Sequence, residues 1–401
     1  MKMVRFLTVG LVPLLSALAQ VNVYLTGVPD YEWHVACFGT ATGNLMGYWD
    51  RHGFPNFYTG PTTGGAAPLD SFGNNYGIRS LWASQAGLDG RPANKPGHVD
   101  DYYVGYESTA ADPYVTARRT EHEPDCIGDF TGMNQNKWKD LNGECDGNLD
   151  GWTFLYWDAT GNRRLNFTPG PAAGLPAIDL QSGLRAWTKW RGYEADVFTQ
   201  LAEVNPDTPA GKGFTFADLK AEIDAGYPVL LFMQSWPEKY RSVGSMARAN
   251  PEIHGMLAYG YRYGHDGDGG KLWVHLRTSW ASGDTQYYPW DGSGWLDWTG
   301  YYMPPRGAIS YHPLPRIMDI KRANGQLTLR WDGPASELYD ADNHAFTQLH
   351  WYVVEMATSL TAGGFAPVAA AATEHELTLP EPAGQAVFLR VKLVPPGSGG
   401  Q

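Results

Sequence analysis

The sequence lacks the short motifs by which several large enzyme classes bind phosphate or zinc. It contains no P-loop, no dinucleotide-binding glycine pattern and no His-Glu-x-x-His pair. Beyond the N-terminal segment, no run of residues is long and apolar enough to cross a bilayer as a helix. These absences argue against nucleotide-dependent and zinc-dependent chemistry and against a membrane span, and we expect no cofactor and no metal.

Positive charge is also scarce. The chain has 30 Lys and Arg residues against 42 Asp and Glu, a formal net charge of -12. A chain of this charge repels phosphate backbones, so nucleic acid is not an expected partner. The N-terminus differs, because residues 1–19 have a basic start, an apolar stretch from Phe6 to Leu15 and an Ala-Leu-Ala end at Ala19. This pattern predicts a signal peptide and a secreted, periplasmic or cell-surface protein, with a buried N-terminal helix as the alternative.

Cysteine occurs only 3 times, at Cys37, Cys126 and Cys145. In an oxidising compartment structural cysteines occur in pairs, so an odd number suggests one reactive thiol. Cys126 and Cys145 lie in a loop-rich stretch and are candidates for a disulfide, which would leave Cys37 as the reactive thiol. The alternative, in which none of the three pair, stays open.

The composition changes along the chain and predicts two folded regions after the signal peptide. Residues 20–313 have a helix around Cys37, a stretch rich in Gly, Asp and Asn, and then alternating helix and strand patterns, which predicts an α+β domain. Residues 314–395 alternate β-forming residues with turn signals, which predicts a small β-sandwich of fibronectin-III-like type. A flexible tail is expected at 396–401.

Local signals specify several elements. Thr215 and Asp218 form a capping-box pattern at the start of a helix, and Gly226 is expected to end it. Asn324-Gly325 predicts a tight turn between two strands, because this pair readily adopts positive φ. The predicted strands cover residues 229–233, 253–261, 272–276, 317–321, 326–331, 351–356, 376–379 and 386–393.

Cys37 stands where a thiol can act as a nucleophile. Cys and apolar residues recur every four positions from Cys37 to Trp49, which predicts a helix that ends at Gly53. A thiol in the first turn of a helix lies near the positive end of the helix dipole, and this position favours the thiolate. A buried structural cysteine is the alternative interpretation.

A thiol nucleophile needs a base within hydrogen-bonding reach. His254 begins the predicted strand 253–261 and is the candidate, because a strand can present its ring to a neighbouring helix start. A structural strand histidine is the alternative. His52, His265 and His275 are weaker candidates, at a helix end, in a Gly-Asp turn and on the next strand.

These residues follow the order found in papain-like cysteine peptidases: Cys37, then His254, then Thr278-Ser-Trp280 in place of Asn-Ser-Trp. Within that class the chain most resembles the bacterial bacteriocin-processing-like group, and the similarity spans about Tyr31 to Trp280. The segments that carry it are Tyr31-Glu-Trp33, Cys37-Phe-Gly-Thr-Ala41, Gly47-Tyr-Trp-Asp50, Ile223-Asp-Ala-Gly-Tyr-Pro-Val229 and His254-Gly-Met-Leu-Ala-Tyr-Gly-Tyr261.

The resemblance implies a papain-like fold and hydrolysis of a peptide or protein substrate through an acyl-enzyme on Cys37, with His254 as base. Thr278 takes the place of the orienting Asn, and a hydroxyl polarises an imidazole less well than an amide or carboxylate. The proline of the family motif is Gly39 here. The glutamine expected six residues before the cysteine is Tyr31, which removes a side-chain donor for the oxyanion.

The sequence is also compatible with two other functions. One is a transglutaminase-like acyltransferase, which uses the same Cys-His couple. The other is a non-catalytic surface or adhesion protein, with cell-surface or glycan contact through the C-terminal domain. Asp146 to Gly151 matches half of a calcium loop, but its twelfth position is Trp157, so a solvated turn is preferred. Asn166-Phe-Thr168 is a glycosylation sequon.

Overall fold

The residues that the structure describes form a mixed α+β fold, as the sequence predicted, and the strands of its sheets pair antiparallel. The computed structural model describes residues 20–31, 37–58, 66–70, 127–131, 157–167, 180–234, 253–279, 285–293, 303–360, 364–382 and 387–394. Several predicted features lie outside these ranges: the signal peptide at 1–19, Trp33, Cys126, Cys145, the calcium-like turn at 146–151, Thr168, Trp280 and the tail at 396–401.

The helices of the described ranges are α1 (Cys37–Arg51), α2 (Ile127–Phe130), α3 (Leu180–Trp190) and α4 (Phe216–Asp224). The strands are β1 (Val21–Leu25), β2 (Arg164–Leu165), β3 (Ala195–Leu201), β4 (Val229–Gln234), β5 (Ile253–Tyr263), β6 (Trp273–Arg277), β7 (Thr285–Pro289), β8 (Pro305–Pro313), β9 (Arg316–Ala323), β10 (Gln326–Asp332), β11 (Glu337–Asp340), β12 (Ala345–Gln348), β13 (Trp351–Ala357), β14 (Ala366–Pro367), β15 (Glu376–Pro380) and β16 (Phe388–Val394). None of these helices is long and apolar enough to span a membrane.

The long strand β5 organises the main sheet. Its first part pairs with β4, from His254 opposite Met233 to Ala258 opposite Val229. Its last part pairs with β1, and β6 runs along its other edge. The sheet follows the order β12-β11-β1-β5-β4-β8-β3-β2, with β6 and β7 added beside β5. Because β5 contacts three strands, its residues are fixed from both edges.

Helix α1 is the central element of the core. Every residue from Cys37 to Asp50 is buried, which is the behaviour of a helix packed on all sides rather than on one stripe. Its glycines permit this packing: a Cβ on Gly47 would lie 2.6 Å from the Tyr31 hydroxyl and 3.0 Å from Pro29. The helix begins at Cys37 and the chain turns at Gly53 with φ 102°, both as predicted.

The capping pattern of α4 is confirmed. The Thr215 hydroxyl accepts a hydrogen bond from the Asp218 amide at 3.0 Å, and the Asp218 carboxylate accepts one from the Thr215 amide at 2.8 Å. Gly226 follows the helix with φ 89° and leads into the fully buried β4. Thr215 and Asp218 thus satisfy donors that a helix start leaves without partners.

The C-terminal region contains a small sandwich of two sheets, β15-β10-β9 and β14-β13-β16. The predicted turn at Asn324-Gly325 is confirmed, with φ of 52° and 73°. The buried side chains of Leu327, Leu329, Trp331, Tyr352 and Val354 form the sandwich core. The hairpin of β11 and β12 instead pairs with β1 of the main sheet, where no strand was predicted.

Candidate active site

Cys37 is the first residue of α1, and its side chain is buried with 5% exposure. The thiol therefore lies in the helix turn whose amide groups have no partner within the helix. Amide dipoles at this end favour a negative charge, and they lower the free energy of a thiolate relative to a thiol. The helix position of Cys37 is therefore one that favours a nucleophilic thiol.

The His254 ring is buried near the start of β5, with 2% exposure. Its Nε2 atom lies 2.5 Å from the main-chain carbonyl oxygen of Thr278. A carbonyl oxygen only accepts hydrogen bonds, so this contact assigns the proton of a neutral ring to Nε2. Nδ1 then carries the lone pair and is the nitrogen that can take a proton.

Burial also sets the charge of this ring. It lowers the pKa of His254 to about 4, although the hydrogen bond to Thr278 works in the opposite direction. The imidazole is therefore neutral near pH 7 and available as a proton acceptor. A neutral imidazole has one nitrogen with a lone pair, which is the form that a general base requires.

Thr278 contacts the histidine in a way that differs from the predicted one. The sequence pointed to its hydroxyl, whereas the observed contact uses the main-chain oxygen. The next residue, Ser279, is buried and has a positive φ of 64°, which is uncommon outside glycine. This dihedral helps to orient the peptide group that carries the Thr278 carbonyl. Strained backbone of this kind is concentrated at functional sites.

The elements that carry Cys37 and His254 meet at a glycine. A Cβ on Gly255 would lie 2.8 Å from the Cα of Phe38, so only glycine allows β5 to approach the start of α1 this closely. The Phe38 ring stacks on Phe232 of β4 with centroids 5.0 Å apart. Cys37 and His254 are the chain neighbours of Phe38 and Gly255. The structure thus brings the two predicted site residues to the same helix–strand junction.

The weaker histidine candidates have structural contacts of their own. His52 stacks on Tyr48 at 4.2 Å, and its Nδ1 lies 2.7 Å from the Tyr48 carbonyl. Nε2 of His275 lies 2.9 Å from Oδ1 of Asn22. His265 lies 3.2 Å from the Asp342 carboxylate.

Asp50 is a buried carboxylate whose role the sequence did not reveal. Its two oxygens accept hydrogen bonds from the amides of Tyr58 at 2.7 Å and Ala67 at 2.8 Å, so it fixes the chain that follows α1. Burial raises the pKa of Asp50 to about 7, against the effect of these two amides and of Arg191. Asp50 belongs to the Gly-Tyr-Trp-Asp segment, and its hydrogen bonds give it a structural role, since they hold the chain after α1 against the helix.

Two polar side chains at or next to sequence motifs form local hydrogen bonds. Oδ1 of Asp158, the residue after Trp157, accepts hydrogen bonds from the Thr160 amide at 2.9 Å and hydroxyl at 2.7 Å. The side chain of Asn166, the sequon asparagine, accepts from the Val197 amide at 2.9 Å and donates to Asp196 at 3.0 Å. Among the residues described, no cluster of three or more His, Cys, Asp or Glu side chains is arranged to hold a metal ion.

We expect the fold to lose stability in mild acid because several of its histidines are buried and neutral. Burial lowers the pKa of His52 and His254 to about 4, and that of His275 and His350 to about 3. An unfolded chain, in which histidine has a pKa near ~6.5, binds protons that the folded chain does not as the pH falls below that value. The stability that these residues contribute is full above pH ~6.5 and is lost as the pH falls toward ~4.

Thermal unfolding measured at pH 7 and at pH 4.5 checks this expectation. The midpoint should fall by roughly 5 °C or more at the lower pH. In a His275→Gln variant, which cannot titrate, the fall should be smaller than in the parent. Equal midpoints at the two pH values would show that these rings do not control acid stability.

No protein-family model, no curated protein and no solved structure matches the chain.

Proposed function

We propose that this protein is a secreted cysteine peptidase with a papain-like fold. The observation that carries the proposal is the Nε2 hydrogen bond of His254 to the Thr278 carbonyl, which leaves Nδ1 as the basic atom. The strand that bears this ring packs directly on the start of the helix that bears Cys37. A buried helix with a cysteine at its first position, against an antiparallel sheet with a histidine, supports the papain-like assignment.

The reaction follows from these groups. As the Cys37 sulfur attacks the carbonyl carbon of a peptide or amide bond, Nδ1 of His254 accepts the thiol proton. The resulting imidazolium is stabilised by the Thr278 carbonyl at Nε2, and the Cys37 amide donates to the oxyanion. His254 then protonates the leaving amine, which gives an acyl-enzyme. Nδ1 of His254 then accepts a proton from a water molecule as that water attacks the thioester. The acid is released, and the proton on Nδ1 returns to the Cys37 sulfur, which restores the thiol.

The order of the chain supports a location for this activity. Residues 1–19 have the pattern of a signal peptide, and the proposed catalytic domain is followed by a small sandwich. We therefore propose that the enzyme acts outside the cytoplasm on a peptide or protein substrate.

Hydrolysis of fluorescently labelled, denatured casein tests the proposed function. The parent protein should release peptides, and a Cys37→Ala variant should release none above background because the nucleophile is gone. A Thr278→Val variant should keep activity within about fivefold, because the observed contact with His254 uses the main-chain oxygen that valine retains. A hundredfold loss in Thr278→Val would show that the hydroxyl is the orienting group. Absence of peptide release in the parent protein would overturn the peptidase proposal.

A second measurement distinguishes the acyltransferase alternative from the hydrolase. The same thioester can be resolved by an amine instead of water, which gives an amide and no free acid. Incorporation of dansylcadaverine into casein without peptide release would favour that function. Peptide release without incorporation supports the hydrolase.

A further inference from the structure

A line of aromatic side chains crosses one face of the main sheet, apart from the residues of the proposed mechanism. Its members come from strands of the main sheet and stand opposite one another in register, with Gly260 of β5 at the centre. We call this line the aromatic row, and it consists of Phe346 (β12), Tyr339 (β11), Tyr24 (β1), His275 (β6) and Tyr287 (β7).

The rings of the aromatic row form an unbroken series of contacts. Successive centroids are 4.6 Å apart from Phe346 to Tyr339, and 5.3 Å from Tyr339 to Tyr24. They are 5.4 Å apart from Tyr24 to His275, and 4.5 Å from His275 to Tyr287. Together these distances limit the row to about 20 Å between the centroids at its two ends.

Gly260 makes the centre of the row possible. A Cβ at this position would lie 2.5 Å from the Cβ of Tyr24, so any other residue would push that side chain away. Because position 260 has no side chain, the rings of Tyr24 and His275 reach each other across the strand. The contact at the centre of the row therefore requires glycine at position 260.

Solvent reaches the row at both ends and in its middle. Phe346 is 63% exposed on β12, a strand on which all four residues are exposed, so packing does not account for its ring. Tyr287 is 41% exposed at the other end. Between them lies a cavity of about 360 Å³. Its lining includes Tyr24, Tyr259, His275, Arg277 and Tyr287.

The chemistry of this surface selects the ligand. A sheet face offers no main-chain groups for an added peptide strand, because those groups are used within the sheet. A phosphate-rich ligand is disfavoured by the net charge of -12, and the nearby Arg262 and Arg277 are paired with Asp268 and Asp30. What remains is a series of flat π faces with phenolic hydroxyls at their edges, which suits an amphipathic, uncharged, ring-shaped group.

We propose that the aromatic row binds an uncharged polysaccharide. Its sugar rings stack on the exposed rings of Phe346 and Tyr287 and on Tyr24, which lines the cavity, and the tyrosine hydroxyls hydrogen-bond to the sugar hydroxyls. A row about 20 Å long accommodates several consecutive sugar rings. This site lies on the main sheet and not on the C-terminal sandwich, and it would hold the enzyme on a glycan-bearing surface. The proposal does not depend on the peptidase activity.

Affinity electrophoresis and pull-down with defined glycans test the proposal. The probes are insoluble cellulose and chitin, and soluble mannan and β-1,3-glucan, with heparin as an acidic comparison. The parent protein should bind at least one uncharged glycan and not heparin. Tyr287→Ala and Phe346→Ala should each weaken that binding roughly tenfold, because each removes one exposed stacking face.

Phe388→Ala is the matched control, since Phe388 is an exposed aromatic residue of β16 outside the row, with 37% exposure. It should bind as the parent does. All three variants replace exposed side chains, so circular dichroism should show an unchanged fold. Failure of the parent to bind any of the uncharged glycans overturns the proposal, as does equal weakening by Phe388→Ala. Casein hydrolysis measured on the same variants keeps this result separate from the fate of the peptidase proposal.

Discussion

A His254→Gln variant should lose casein-hydrolysing activity by about a thousandfold or more, measured as kcat/KM. Glutamine is close in length and can donate an amide hydrogen to the Thr278 carbonyl, so the contact observed at 2.5 Å has a replacement. It offers no basic nitrogen at the position of Nδ1. The proton of Cys37 then has no acceptor, and the leaving amine has no donor.

His275→Gln is the matched control for this variant. His275 is also buried, with 1% exposure, and lies on the neighbouring strand β6, but it contacts Asn22. Its replacement should change kcat/KM by no more than about fivefold. If His254→Gln kept a tenth or more of the parent activity, or if His275→Gln lost as much, His254 would not be the base.

A Gly255→Val variant should be destabilised by about 3 kcal/mol or more, with loss of activity at temperatures where it unfolds. A Cβ at this position would lie 2.8 Å from the Cα of Phe38, a main-chain atom that cannot rotate away. Relief of the clash requires β5 and α1 to separate, and this separation would also displace His254 from Cys37. Chemical denaturation monitored by circular dichroism measures the change in the free energy of unfolding.

Gly267→Asn provides the comparison. Gly267 lies in the turn after β5 with φ 91°, and a Cβ there would meet no atom within 4 Å. Asparagine tolerates positive φ better than most residues, so we expect a loss of about 1 kcal/mol or less. If Gly255→Val were as stable as Gly267→Asn, close approach of the strand to the helix would not be a requirement of the fold.

Local signals in the sequence were sufficient for the elements that carry the site. The four-residue apolar spacing placed the helix at Cys37, and the apolar run after His254 placed β5. The capping box at Thr215 and the turn at Asn324 were correct for the same reason, because each depends on neighbours in the chain. Such signals act over a few residues and need no tertiary information.

The orientation of the Thr278 carbonyl could not be predicted in this way. It depends on the backbone at Ser279, which has a φ of 64°. Serine seldom adopts a positive φ, so its presence in the sequence does not indicate this conformation. The sequence therefore pointed to the side chain, the only part of Thr278 that differs between residue types. Gly255 did carry a usable signal, since a glycine inside a strand pattern often marks a close backbone approach.

The pairing of strands that are far apart in the sequence could not be predicted either. Strand β11 joins β1 across more than 300 positions, with Tyr339 opposite Tyr24. Its sequence, Glu-Leu-Tyr-Asp, is too short to give an alternating pattern. The aromatic row depends on the registers of several such pairs. Its rings are scattered over the sequence, and only the sheet shows that they stand in line.

The rate of alkylation of Cys37 by iodoacetamide at pH 7 tests the central claim most directly, because it reports on the thiol without a substrate. Mass spectrometry of the proteolytic peptide that contains Cys37 would follow the reaction in the parent, His254→Gln and His275→Gln proteins. If His254 activates the thiol, the parent and His275→Gln should react at least about tenfold faster than His254→Gln and than a cysteine in a short peptide. If all three proteins reacted at the rate of the peptide, the Cys37–His254 couple would be contradicted.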